Sequence, residues 1–521
     1  MDKIKILWAD DEMEHLKPQI FFLEKKGYSI KTLSNGFDAL EHLKEDPNYD
    51  IIFLDESMPG ISGLETLTQI KSKGYLMPVV MVTKNEAENI MEEAIGSQIA
   101  DYLIKPVNPN QLLLTIKKLI DNKRLVSEKN SLDYQIAFRQ LFMEISEKQN
   151  YASWVDLYKK LIHWELKLDQ SNDPHIQDIM NQQKKEANVE FSKFILNTYT
   201  SWFKRDADAP TMSHNLMLNK VFQHLNDKLP TFFILLDNLR YDQWKIIEPI
   251  ISEKFRIEEE DYFYSILPTT TQYSRNSIFA GMLPSEIEKL YPDWWLNDND
   301  EGGKNLKEPD LMNSQIKRMI KRDLKHEYIK ITNTTKAKQL LDQSINMLNN
   351  DLTVIVYNFI DMLSHARTEM EVLKELASDE IAYRSLTKSW FLHSPLWAAL
   401  QKIAELPVQL IITTDHGTIR VQDPIRVIAD KETTSNLRYK VGKNLSYDKK
   451  EVLEIREPQL VGLPRPNLSS TFIFAKDRGY FLYPNNYGHF LNYYKNTFQH
   501  GGISMEEMIC PIIRLKSKVT V

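Results

Sequence analysis

Runs of apolar, β-branched residues alternate with amphipathic stretches through the first 120 residues. IKILWA, IKTLS, IIFLDE, PVVMVT and ADYLIK read as short strands, and helical spacing fills the gaps between them. That alternation predicts a parallel sheet with helices on both faces. From Gln111 to Arg205 there is no glycine and the pattern turns helical, with Leu157, Leu161 and Trp164 along one face. Asp173-Pro174 marks a break, and Asp206-Ala207-Asp208-Ala209-Pro210 reads as an exit linker. The expectation is a bundle of three or four helices with Trp154, Trp164 and Trp202 as core anchors. Strand-like runs then return as TFFILL, TVIVYNFI and VQLIITT, which are apolar throughout, as in strands buried on both faces. The chain is therefore multidomain α/β, divided at residues 1–120, 121–210 and 211–521.

Composition narrows the class. With 521 residues, 42% of them hydrophobic and 26% charged, the chain is an ordinary globular one with room for several domains. Its one cysteine, Cys510, excludes an internal disulfide framework and suits a reducing compartment. No apolar run reaches the ~18–20 residues that span a bilayer. The opening MDKIKILWADDE carries charges where a signal peptide is apolar, so a cytoplasmic location without membrane attachment is expected. Most of the net charge of −7 lies in residues 1–120, with 19 acidic and 13 basic side chains. The nearly neutral remainder excludes broad nucleic-acid binding by bulk charge, and no helix-turn-helix with a basic recognition helix is present.

The chemistry-bearing residues sit at strand ends. In the first domain Asp10 and Asp11 follow the first strand, Asp55 the third, Thr83 the fourth, and Lys105 the fifth. Three clustered carboxylates repel one another unless a cation sits among them, which predicts an oxygen site for Mg²⁺ on Asp10, Asp11 and Asp55. A carboxylate beside that ion can accept a phosphoryl group. Thr83 and Lys105 would bind its oxygens.

In the last domain Asp237, Asp361 and the pair Asp415-His416 each follow an apolar run. Ligands collect outside the carboxyl ends of strands in open α/β sheets, so these positions converge. Asp361 and His365 are four apart and share a helical face. His500 precedes Gly501-Gly502 and a capping-box sequence beginning at Ser504. Thr271 lies in a hydroxyl-rich turn, PTTTQYSR, and becomes a competent nucleophile only if a base or metal lowers its pKa. Arg275 and Asn276, one turn beyond, are candidates to bind a phosphate oxygen. Asp242 reads as a surface or helix-start residue.

Residues 1–120 resemble a response-regulator receiver domain, on Asp10-Asp11-Glu12, Asp55 with Met58-Pro59-Gly60, Thr83 and Lys105-Pro106. The resemblance implies a flavodoxin-like receiver with Asp55 as phosphoacceptor, Tyr102 as the aromatic that turns inward on activation, and a cognate sensor histidine kinase. Residues 211–521 resemble the alkaline-phosphatase superfamily, in its PglZ-type branch, on LDNLR, PTTTQYSR, Asp361-x-x-x-His365, TDHG and His500-Gly501-Gly502. This implies an alkaline-phosphatase-like α/β sandwich with two metals, one on Asp237, Thr271, Asp415 and His416 and the other on Asp361, His365 and His500. Mixed nitrogen and oxygen ligands suit zinc, with manganese second. The three-part order resembles the response regulators of type IX secretion, and implies an alternative sigma factor as a partner.

The leading expectation is a zinc-dependent phosphodiesterase, of nucleotides or oligonucleotides, controlled by phosphorylation-driven homodimerisation. A basic helix, Lys317 to Lys325, and dense aromatics at Tyr291–Trp295 and Tyr480–Tyr494 are candidate nucleotide contacts. The competing expectation is a phospho-dependent scaffold for a sigma factor or promoter, with structural or vestigial zinc sites.

Overall fold

A computed structural model describes residues 4–519 apart from 74, 76, 85–98, 148–149, 170–173, 205–207, 226–228, 370–378 and 431–432. The break expected at Asp173 and part of the exit linker lie outside the described residues. The described residues divide into two units, the first running to residue 135 and the second holding residues 136–169 and those from 175 onward.

In the first unit strands β1 (Lys5–Ala9), β2 (Ser29–Leu33), β3 (Ile51–Asp55), β4 (Val79–Thr83) and β5 (Asp101–Ile104) form one sheet in the order β2-β1-β3-β4-β5. All pairs are parallel, Ile6 lying opposite Ile51 and Ile52 opposite Val79. This is the flavodoxin-like doubly wound order. The period of two divides the strand residues between two apolar layers. Trp8, Phe53, Val80 and Val82 pack into one, and Ala9, Leu54, Val79 and Met81 into the other. Helices α1 (Lys17–Lys25), α2 (Gly36–Glu45) and α3 (Gly63–Ser72) connect successive strands, and α4 (Pro109–Ile116) follows β5. Ser62 and Glu65 form a full capping box at the start of α3.

Helices α5 (Asn122–Ser146), α6 (Tyr151–Leu168) and α7 (Pro174–Thr198) make the helical middle. Trp154 and Trp202 are buried as expected, with the Trp154 ring 5.3 Å from Phe191 and edge-on to it. Trp164 is only half-buried, its face covered by Lys167, so it is not the core anchor its helical spacing suggested.

The second unit is built on a six-stranded mixed sheet from β6 (Thr231–Leu236), β7 (Phe255–Tyr264), β8 (His326–Ile331), β9 (Leu352–Tyr357), β10 (Gln409–Thr413) and a late strand, Ile509–Ser517. Strands β10, β6, β9 and β8 are parallel neighbours in that order. The late strand pairs antiparallel with both β10 and β7. Every residue of β6, β9 and β10 is buried, which is why their sequences are uninterrupted apolar runs. Helix α8 (Tyr241–Ile251) follows β6, a π turn (Thr271–Arg275) leads into α9 (Asn276–Ala280), and α10 (Phe359–Glu369) follows β9. Helix α11 (Glu380–His393) comes next.

Beyond β10 the chain adds β11 (Asp423–Arg426), β12 (Tyr439–Gly442), β13 (Val452–Ile455), β14 (Thr471–Ala475) and β15 (Gly479–Leu482). Strands β12, β14 and β13 form an antiparallel sheet, and β11 pairs with β15. The chain then returns through α12 (Met505–Met508) to the late strand, now β16.

Helices α6 and α7 belong to the same unit as this sheet, and Phe191 is fully buried among Trp154, Phe194 and Tyr264. Phe191→Ala is expected to lower the unfolding free energy of this unit by about 3–5 kcal/mol through the cavity it leaves. Urea unfolding followed by tryptophan fluorescence measures this, and a loss under about 1 kcal/mol would mean the helices do not share the core.

Candidate active site

In the first unit Asp10, Asp11 and Asp55 each offer a carboxylate oxygen within 4.8 Å of the others. Lys105 reaches in from the end of β5, its ammonium 2.8 Å from Asp10 and 3.0 Å from Asp55. Burial pushes the Asp55 carboxyl above its ordinary value; Lys105 offsets part of this, and Asp10 and Asp11 add to the rise. One lysine facing three carboxylates leaves negative charge uncompensated, and an all-oxygen set of this kind fits Mg²⁺. Thr83 is buried at the end of β4. Tyr102 is half-buried, its ring packed on the layer that holds Met81.

In the second unit the metal-type residues stand at the carboxyl ends of three adjacent parallel strands. Asp237 follows β6, Asp361 lies in the first turn of α10 after β9, and Asp415-His416 follow β10. His500 arrives from the far side, just after Phe498-Gln499 pair with Ile419-Arg420. The structure brings them together as two groups, each with its ligand atoms within 4.8 Å: Asp237, Asp415 and His416, and Asp361, His365 and His500. The rings of His416 and His500 stack at 4.3 Å, so the groups are adjacent. The Thr271 hydroxyl stands 3.3 Å from Asp237 and 3.2 Å from His416 Nε2.

The residues around them aim the ligand atoms. Nδ1 of His416 lies 3.1 Å from the Gly417 carbonyl and Nδ1 of His500 lies 3.3 Å from that of Thr269. Donating there leaves each Nε2 lone pair facing the cluster. Burial lowers both imidazoles, His500 to about 3, which keeps them neutral and able to ligate. Burial first and Asp415 second push Asp237 up to about 8. Asp415 Oδ2 is buried with no hydrogen-bond partner. An orphaned carboxylate oxygen beside neutral imidazoles is the donor set of a divalent metal of intermediate softness.

Close packing fixes the loops. A Cβ on Gly417 would fall 2.0 Å from the Glu506 carbonyl, so only glycine fits there. The Thr269 hydroxyl donates to the Gly502 carbonyl at 3.0 Å and accepts from Gly501 N–H at 3.1 Å, tying the Thr271 turn to the His500 loop. Thr414 Oγ1 accepts from Leu239 N–H and donates to the His416 carbonyl.

Arg275 and Asn276 are turned inward. The Arg275 guanidinium is buried, 2.7 Å from Asp237 Oδ2, and bonds Glu308, which is also paired with Lys330. Asn276 donates to the Lys304 carbonyl and accepts from Asn305. Both side chains are thus engaged in holding the turn. The basic run is not one helix, since its helix ends at Met319. Asp242 does open α8, but it is buried rather than at the surface, paired with Arg240 and Arg384.

Several contributors escaped the sequence reading. Asn238 takes a left-handed backbone, φ 67°, directly after Asp237 and donates to both Asp361 and Ser364. Asparagine tolerates that conformation, and the LDN sequence was the available signal. Glu308 and Lys330 had none, being far along the chain. The helical middle also reaches these loops. Lys184 on α7 pairs with Glu165 at 2.7 Å and Glu506 at 3.4 Å, and Asn188 bonds Glu506 and the Met505 N–H. Arg384 joins Glu165, Asp169 and Asp242, and the Tyr199 hydroxyl accepts from Leu267 N–H just before the Thr271 turn.

Comparison with known proteins finds three matched segments. Family models match residues 6–117 as a response regulator receiver domain, 124–203 as the PorX response regulator linker domain, and 216–515 as the BREX system PglZ alkaline phosphatase-like domain. Among curated relatives, the alginate biosynthesis transcriptional regulatory protein AlgB of Pseudomonas putida is 34% identical over 132 residues, 25% of this chain and 29% of that protein. The transcriptional regulatory protein ResD of Bacillus subtilis is 34% identical over 119 residues, 23% of this chain and 49% of that one. The chain thus spans half or less of the length of these relatives. A crystal structure of a CheY-like receiver domain protein from Methanospirillum hungatei is 26% identical, with a TM-score of 0.22, and covers 23% of this chain and 95% of that one. With more than half its length matched by one family, and a receiver and linker matched ahead of it, the chain belongs to the PglZ alkaline-phosphatase-like family in a PorX-type response-regulator arrangement.

Proposed function

We propose that this chain is a two-component response regulator in which phosphorylation of Asp55 promotes dimerisation and so controls a zinc-dependent phosphodiesterase acting on nucleotides or oligonucleotides. The observation that carries the reading is the Thr271 hydroxyl set against two adjacent three-ligand groups. Asp237, Thr271, Asp415 and His416 would hold one zinc ion, and Asp361, His365 and His500 the other. When bound, two such ions supply the positive charge that acidifies a hydroxyl and stabilises the attacking and leaving oxygens of an in-line displacement.

The protein's own groups prepare that displacement. Asp237 accepts from the Thr271 hydroxyl through one oxygen while Arg275 grips the other, so the carboxylate cannot swing away. Thr271 Oγ1 gives up its proton toward the Asp237 oxygen it donates to and forms a bond to phosphorus as the bond to the departing ester oxygen breaks, that oxygen taking up a proton to leave as the alcohol. Water then cleaves the threonine ester and restores the hydroxyl. Arg275 is engaged with Asp237 and Glu308, and no third ligand group adjoins the site among the described residues. Little is thus offered to the second charge of a monoester, which supports a preference for diesters.

In the receiver, Asp10, Asp11 and Asp55 would hold Mg²⁺, which offsets the charge of the incoming phosphoryl group. A sensor histidine kinase is the donor, Asp55 the acceptor, and Thr83 and Lys105 take the phosphate oxygens. Tyr102 reports the change by moving further inward. The PorX-type arrangement supports a link to type IX secretion through an alternative sigma factor. No helix among the described residues is long and apolar enough to cross a membrane, in keeping with a cytoplasmic site of action.

Thr271→Ala should cut hydrolysis of an aryl phosphodiester on the order of a hundredfold or more while close to two zinc equivalents stay bound. Wild-type turnover in a zinc-loaded alanine variant would remove Thr271 as nucleophile, and a strong preference of wild type for the aryl monoester would reverse the substrate class.

Beryllofluoride with Mg²⁺ should shift the wild-type chain toward a dimer in light scattering and leave Asp55→Ala unchanged. An unaltered mass for treated wild type sinks the switch.

A further inference from the structure

Consecutive residues of a strand point to opposite faces, and on β12 those residues are Tyr439 and Lys440. Tyr439 faces the catalytic side. Its hydroxyl bonds Asp298, its ring lies 6.1 Å from that of Tyr273, and a Cβ on Gly501 would come within 2.9 Å of it. Lys440 faces the other way, into a separate cavity of about 550 Å³. That volume falls in the range of small-molecule sites.

The cavity walls are aromatic. Phe481, Tyr483, Phe490 and Tyr494 line it, and the Phe490 and Tyr494 rings stack at 5.9 Å. Lys440 is 1% exposed. Its ammonium donates to the Thr434 carbonyl at 2.8 Å and lies 4.6 Å over the Tyr483 ring. Among the described residues no carboxylate pairs with it. Asp430, at the rim, is exposed and takes the Asn444 amide instead. Burial alone pushes the Lys440 amine down to about 7. The hydroxyl of Thr433, which lines the cavity, is buried without a hydrogen-bond partner. Among the described residues the ammonium thus lacks a counter-charge and the Thr433 hydroxyl lacks a partner, and both are costly when buried. Both costs vanish if the cavity takes an anion.

We propose that this cavity is a binding site for a small planar aromatic or heteroaromatic anion, its ring against Tyr483, Phe490 and Tyr494 and its oxyanion on Lys440 and the Thr433 hydroxyl. Lys440 supplies charge and hydrogen bonds to the oxyanion. The tyrosine and phenylalanine faces supply stacking surface, which every flat ring can use. The site is independent of the hydrolase reading, because none of its lining residues is a proposed metal ligand.

The test uses the full chain carrying Asp361→Ala and His365→Ala, stripped of metal by dialysis against EDTA, so that neither metal group competes. Titration calorimetry with AMP and with indole-3-carboxylate separates a phosphate from a carboxylate, and adenosine and inorganic phosphate serve as the uncharged ring and the ringless anion. One of the two aromatic anions is expected to bind saturably, one per chain, and about tenfold or more tighter than adenosine or phosphate. Lys440→Met, an apolar side chain in an apolar wall, should keep the fold and lose about tenfold or more in affinity. Tyr494→Ala, half-buried at the cavity, should weaken binding as well. Absence of saturable binding by both anions overturns the proposal, as does unchanged affinity in the Lys440→Met and Tyr494→Ala variants.

Discussion

Carboxylates at the ends of adjacent buried strands repel one another, and the second unit gathers three of them, Asp237, Asp361 and Asp415, around neutral imidazoles. Repulsion between such groups grows as water is excluded. One arginine, Arg275, is built in as partial compensation, and it grips Asp237 while the rest of the charge is left for ions. The surrounding loops then have one task, which is to keep those oxygens and nitrogens aimed at each other against that repulsion. Thr269, Thr414 and Asn238 each do so by bridging two segments that the chain order places far apart. The Gly417 packing against Glu506 closes the ring of loops.

The first unit meets the same problem with fewer parts. Its three carboxylates also stand at the carboxyl ends of parallel strands, and a lysine takes the place of the arginine. The difference lies in the support. Lys105 is a flexible point charge whose position can follow a change at Asp55. Arg275 is a rigid fork, buried between two carboxylates, which suits a centre whose ligand atoms must stay aimed at one another.

What the sequence made legible follows from local rules. The uninterrupted apolar runs before Asp237, Asp361 and Asp415 announced buried parallel strands, and the strand-end rule announced that their termini share one place. The Asp361–His365 spacing is a helical one and survived in α10. What stayed hidden depends on long-range packing. Nothing local distinguishes an arginine facing substrate from one facing Glu308, thirty-three residues on. Asp242 has the sequence of a helix start, which it is, and its burial is imposed by Arg384 from another helix. Trp164 keeps the period of a core residue yet lies at the edge of the packed face. The density of aromatics near Tyr480–Tyr494 was legible, whereas the buried Lys440 beside them was not, since lysine carries no signal of burial.

The charged seam between α6, α7 and the catalytic loops bears on how such chains can be recombined. Lys184, Glu165 and Asn188 come from the helices, and Glu506, Asp242 and Arg384 from the segment behind them. A chain joined near residue 211 would leave Glu506 without Lys184 and Asn188, and Arg384 without Glu165 and Asp169, and would uncover the apolar surface around them. The folded unit around the site is thus larger than the segment that carries its ligands, because the helices complete the charge pairs behind the His500 loop.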